Sequence, residues 1–96
     1  MAKAKLEIYA KKKYLSGEIV EMTVWRLPNA SAERPHGLKY SLYYGHNGKR
    51  IIGYDNERGK GDHRHILDIE EVYEFLTVDK LIADFLESID KIGGLK

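Results

Sequence analysis

With 96 residues, 43% of them apolar, the chain has room for a single domain, residues 1–96, around one modest core. It has no cysteine, which excludes a disulfide-stapled secreted scaffold and fits a reducing cytoplasm. Neither the opening MAKAKLEIYAKKK nor any later run offers a signal-peptide core or the ~20 apolar residues of a membrane span, so a soluble cytoplasmic protein with no membrane contact is expected. The net charge of +1 hides an asymmetry: residues 1–65 hold 13 Lys and Arg against 7 Asp and Glu, and residues 66–96 hold 3 against 8. One part suits a polyanion and the other a basic partner, unless both are only solvated faces.

In chain order, four strand-like runs come first. Lys5–Lys11 alternates Leu6, Ile8 and Ala10 with polar neighbours, Ser16-Gly17 marks a turn, and Glu18–Leu27 is rich in β-branched and aromatic residues. Pro28–Gly37, with two prolines, reads as a loop. Leu38–Tyr44 meets Arg50–Tyr54 across Asn47-Gly48, a pair that accepts the positive φ of a tight hairpin turn. That register sets Tyr44 opposite Ile51 and Tyr43 opposite Ile52. It puts Leu38, Tyr40, Leu42, Tyr44 and Ile51 on the core face, with Lys39, Ser41, Tyr43, Ile52 and Tyr54 on the other. The register of the first hairpin stays open.

Asp68–Leu76 fits a short strand or a helical turn. Beyond it, Val78, Leu81, Ile82, Phe85, Leu86, Ile89 and Ile92 recur at steps of three and four, the stripe of an amphipathic helix. Thr77 is its cap, Asp79 suits its positive end, and Gly93-Gly94 forms its stop. The fold class is therefore α+β: an antiparallel meander of four or five strands with an amphipathic C-terminal helix packed on one face.

Between sheet and helix lies Tyr54–His65, YDNERGKGDHRH, with three acids, three bases, two histidines and two glycines. Gly59 and Gly61 around Lys60 allow close backbone approach to a ligand, but there is neither the dinucleotide fingerprint nor a Walker loop. In an extended segment His63 and His65 point to the same side and Arg64 points away. RNA cleavage without a metal or other cofactor needs a base for the 2′-hydroxyl, an acid for the leaving oxygen and a cation for the phosphate. His63, His65 and Arg58 supply those types, with Asp55 or Asp62 to orient an imidazole. Arg26, Lys60 and Arg64 are phosphate-capable cations, and Trp25 and Tyr54 are candidate base-stacking rings. The plainer alternatives are a salt-bridged loop, a core or rim Trp25, and tyrosines that only pack. A metal reading would join Asp55, Asp62, His63 and His65 around Zn²⁺ or Fe²⁺. The spacing matches no compact motif, and Arg58, Lys60 and Arg64 would repel the ion.

The segments IVEMTVWRLP, KYSLYYGHNGKRIIGYDNERGKGDHRH and FLTVDKLIADFL together resemble the TumE family of small prokaryotic proteins, toxin components of toxin–antitoxin pairs. The resemblance implies a cytoplasmic growth inhibitor partnered by a helix-turn-helix antitoxin. RNA as the target follows only by analogy with other small toxins. Two classes stay open: a ribonuclease-like toxin, and a non-catalytic module that binds nucleic acid or protein through the charged loop.

Overall fold

The computed structural model describes residues 3–32, 34–56 and 61–94; Arg58 and Lys60 lie outside them. Six strands and one helix follow in order: β1 Lys5–Lys13, β2 Glu18–Arg26, β3 Leu38–His46, β4 Lys49–Asp55, β5 His63–Ile66, β6 Ile69–Val72 and α1 Val78–Lys91. The strands form one antiparallel sheet in the order β1-β2-β3-β4-β5-β6, so each pairs with its chain neighbour. The strand count exceeds the expected four or five because the charged segment itself is partly strand. His63–Ile66 pairs with β4, and the ambiguous stretch after it supplies β6.

Asn47 and Gly48 turn between β3 and β4 with φ of 52° and 79°, the tight hairpin that the dipeptide favours. The expected register holds only next to that turn, where His46 pairs with Lys49 and Gly45 with Arg50. A bulge then leaves Ile51 over, and Tyr44 pairs with Ile52 and Leu42 with Tyr54. One extra residue exchanges the faces of everything beyond it. Ile52 and Tyr54 therefore enter the core, fully buried, and Ile51 is only partly covered. Gly45 is required beside the bulge, because a Cβ there would stand 2.8 Å from the Lys49 carbonyl and collide with the Tyr43 ring.

Val20, Val24, Leu38, Tyr40, Leu42, Tyr44, Ile52 and Tyr54 form the sheet's share of the core, and Leu81, Phe85 and Ile89 form the helix's share. Phe85 meets Tyr54 edge-on, with ring centroids 6.0 Å apart. The helix begins as its sequence requires: Thr77 is extended and accepts from the Lys80 N–H at 3.1 Å, with Asp79 in the first turn. The expected apolar stripe is narrower than its residues suggested. Leu86 and Ile92 remain 46% and 38% exposed, while Ser88 is buried in their stead. Positions 81, 85, 88 and 89 face the sheet, and 86 and 92 lie at its margins.

Cross-strand partners share a face. The face opposite α1 therefore carries Lys39, Ser41 and Tyr43 from β3, Gly53 and Asp55 from β4, His63 and His65 from β5, and Glu70 from β6. Among the described residues, no helix or strand covers that face.

Candidate functional site

Four ionisable side chains meet on the open face because three strands bring them into register. Asp55 pairs with His63 across β4 and β5, and His65 pairs with Glu70 across β5 and β6. Period-two alternation puts the two imidazoles side by side, edge to face, with centroids 5.3 Å apart. His63 Nε2 lies 2.6 Å from Asp55 Oδ1 and 3.9 Å from Glu70 Oε1, which is also 4.0 Å from His65 Nε2.

The two histidines have different surroundings. Only 5% of the His63 side chain is exposed, and its Nδ1 is 3.0 Å from the Gly61 carbonyl, an acceptor, so Nδ1 carries a proton and donates. The 2.6 Å approach of Asp55 to Nε2 is a close contact and not an aligned hydrogen bond: among the described residues, Asp55 Oδ1 is a buried acceptor with no aligned donor. His65 is more accessible, at 16%. Burial pushes its pKa below the usual histidine value, and the Arg50 guanidinium adds to this.

Arg50 reaches the site because β4 has a glycine beneath it. A Cβ at Gly53 would lie 2.9 Å from Arg50 Cδ, so the arginine stem crosses the strand where no side chain stands. Lys39, Ser41, Arg50, Asp55 and Asn56 line a shallow depression next to the histidines. Asn56 is itself buried and holds the β3 start, accepting from Tyr40 N–H at 3.0 Å and donating to the Leu38 carbonyl at 2.7 Å.

Of the sequence candidates, the structure gathers Asp55, His63 and His65. Arg58 and Lys60 fall outside the described residues. Asp62 is held elsewhere: His36 Nε2 donates to its Oδ1 at 3.0 Å and the Tyr40 hydroxyl at 2.7 Å, a clamp just ahead of β5. Leu38 N–H occupies the other His36 nitrogen. Burial, then this hydrogen bond, drives the Tyr40 pKa far above the ordinary phenol value. Arg64 lies on the helix side, donating to the Tyr54 hydroxyl at 3.1 Å and pairing with Glu71. Arg26 pairs with Glu7 on that same side of the sheet. Tyr54 is fully buried and so offers no ring face to a base, a correction that follows from the bulge. Trp25 is 37% exposed and shares the open face with Lys39, its β3 partner.

Arg50 and Glu70 escaped the sequence reading. Nothing local marks them; they join the cluster only through strand pairing and the space over Gly53.

No helix among the described residues is long and apolar enough to cross a membrane. No curated protein and no solved structure matches the chain. The family model described as Toxin TumE matches residues 2–92, nearly the whole chain and every element that builds the open face. The chain therefore belongs to the TumE toxin family.

Proposed function

We propose that this protein is a cytoplasmic toxin that cleaves RNA on the open face of its sheet and is restrained by a helix-turn-helix antitoxin. The observation that carries the reading is the placement of His65 beside Arg50 and edge-on to His63, next to the open depression that Arg50 and Asp55 line. His65 is held neutral near pH 7 by burial and by Arg50, and so accepts the proton of a 2′-hydroxyl. The oxygen attacks the adjacent phosphorus, the bond to the 5′ oxygen breaks, and water on the exposed face returns a proton to that leaving oxygen. Arg50 counters charge on the crowded phosphate. Buried His63, whose Nδ1 donates to the Gly61 carbonyl, positions its neighbour.

The test is incubation of purified chain with RNA in the presence of a chelator. Cleavage that persists without free metal and falls ~10²–10⁴-fold in folded His65→Ala supports the reading. Wild-type cleavage by that variant overturns it. The shallow, open form of the depression favours a second reading, recognition of nucleic acid without turnover, which intact RNA bound by the protein would support.

A further inference from the structure

Away from the histidines, the same open face holds a second hollow. Ala4, Trp25, Leu27 and Lys39 line it, and Lys39 also lines the depression that Arg50 and Asp55 share. One lysine therefore joins the two. Trp25 and Lys39 stand opposite each other in the β2 and β3 ladder, so the indole and the lysine rise from the same face. The indole is 37% exposed, and Leu6, its partner on β1, is 50% exposed. Farther along this face β1 adds Lys11 and Lys13, while Glu21, opposite Lys11, accepts from the Tyr9 hydroxyl at 3.1 Å. Among the described residues that line the hollow there is no acid. An exposed indole beside apolar side chains, with a cation at the rim, suits a flat ring that carries a phosphate.

We propose that this hollow is a nucleobase subsite, in which Trp25 stacks on an unpaired base of the RNA and Lys39 takes a phosphate on the way to Arg50 and His65. The proposal deepens the RNA reading above and rests on it. The occupant is a single strand, because the bases of a duplex stack on one another and offer no face to a side chain. Stacking accepts every base, so the hollow holds the strand without choosing its sequence. Its distance from the histidines sets its role. Trp25 pairs with Lys39, Tyr43 with Gly53, and Gly53 with His65, so the indole and the imidazole are three strand steps apart across the sheet and four residues apart along β3. At ~4.8 Å per step and ~3.3 Å per residue the diagonal is roughly 20 Å. A dinucleotide cut at His65 does not reach Trp25, whereas a longer strand does. Asp55 opposes phosphate on this path, but Lys39 and Arg50 line the same depression.

Trp25 is the chain's single tryptophan, so its fluorescence reads the hollow directly. The wild-type chain is titrated with a single-stranded 2′-O-methyl RNA, which has no free hydroxyl to attack the phosphorus and stays whole, and with the duplex of the same sequence. Quenching should saturate with the single strand and not with the duplex. Affinity, read by anisotropy of a labelled strand, should fall ~5–150-fold in Trp25→Ala and recover most of that loss in Trp25→Phe, with folding checked by circular dichroism. Lys39→Gln should reduce the slope of log affinity against log salt by ~0.7. In cleavage of a long natural RNA, Trp25→Ala should raise KM and spare kcat. No quenching by the single strand overturns the subsite, as does equal quenching by the duplex or undiminished affinity in folded Trp25→Ala. Quenching by natural RNA that stays intact leaves the subsite standing and removes the ribonuclease reading; cleavage without quenching does the reverse.

Discussion

The Tyr54 hydroxyl, on a central strand, lies 2.6 Å from Ser88 Oγ on the helix. Ser88 passes its own proton to the Asp84 carbonyl at 2.9 Å, and Arg64 donates to Tyr54 from the other side, so a polar chain crosses the core boundary. Both partners are buried, so removing the Tyr54 hydroxyl takes a donor from Ser88 Oγ and an acceptor from Arg64. Tyr54→Phe is expected to lower stability by about 1–3 kcal/mol with the ring packing intact, measured by urea denaturation. An unchanged midpoint would show that water replaces the lost hydroxyl.

Two apolar helix positions separate burial from mere hydrophobicity. Phe85 is fully buried and Leu86 is 46% exposed. Phe85→Ala should cost about 3–5 kcal/mol, whereas Leu86→Ala should cost roughly 1 kcal/mol or less. Equal losses in thermal melts would mean that the helix is rotated about its axis.

Asp84 predicts an acid limb of stability. Burial works against its charge, but the Tyr73 hydroxyl at 2.7 Å and the Lys80 ammonium at 3.1 Å prevail and hold its pKa below the ordinary aspartate value. A carboxyl depressed in the folded state contributes stability above its unfolded pKa, near 3.8, and loses it as pH falls through the lower folded value. Wild type should therefore lose stability more steeply below about pH 4 than Asp84→Asn. Parallel curves would remove this contribution. The same contacts make Asp84 part of the packing, so the helix offers a basic partner its exposed Asp79, Glu87 and Asp90 instead.

If His65 is the proton acceptor, the rising limb of a cleavage pH profile should lie below pH 6.5, the ordinary histidine value. Arg50 lowers that pKa by repelling the imidazolium, so Arg50→Gln should move the limb to higher pH. Gly53→Ala displaces the Arg50 stem and should shift the limb the same way, with little loss of stability because the stem is flexible. A limb that stays fixed in both variants would detach Arg50 from the chemistry.

What could be read from the chain follows from what is local in it. Alternation in β3 marks Leu38, Tyr40, Leu42 and Tyr44 as core, and Asn47-Gly48 and Thr77 mark a turn and a cap, because each signal lies within a few residues. The bulge left no trace, since Ile51 and Ile52 are both apolar and either one completes an alternating pattern. The common side of His63 and His65 was legible from period two alone. Their neighbours were not, because Glu70 and Arg50 reach them across strand pairings that the bulge and Gly53 decide. Asp62, adjacent in sequence, is captured by His36 and Tyr40.

The agreement between strand order and chain order has a consequence for synthesis. Each strand can dock on the one before it as it leaves the ribosome, so sheet growth closes only short loops. The histidine cluster is complete once β6 has joined, yet α1 emerges last, and until then the apolar face bearing Ile52 and Tyr54 is open to solvent. A nascent chain thus assembles its charged face first and shields its greasy one afterwards. A chain cut between Val72 and Val78 would keep every strand of the cluster and have no cover over its core, the species most prone to aggregate.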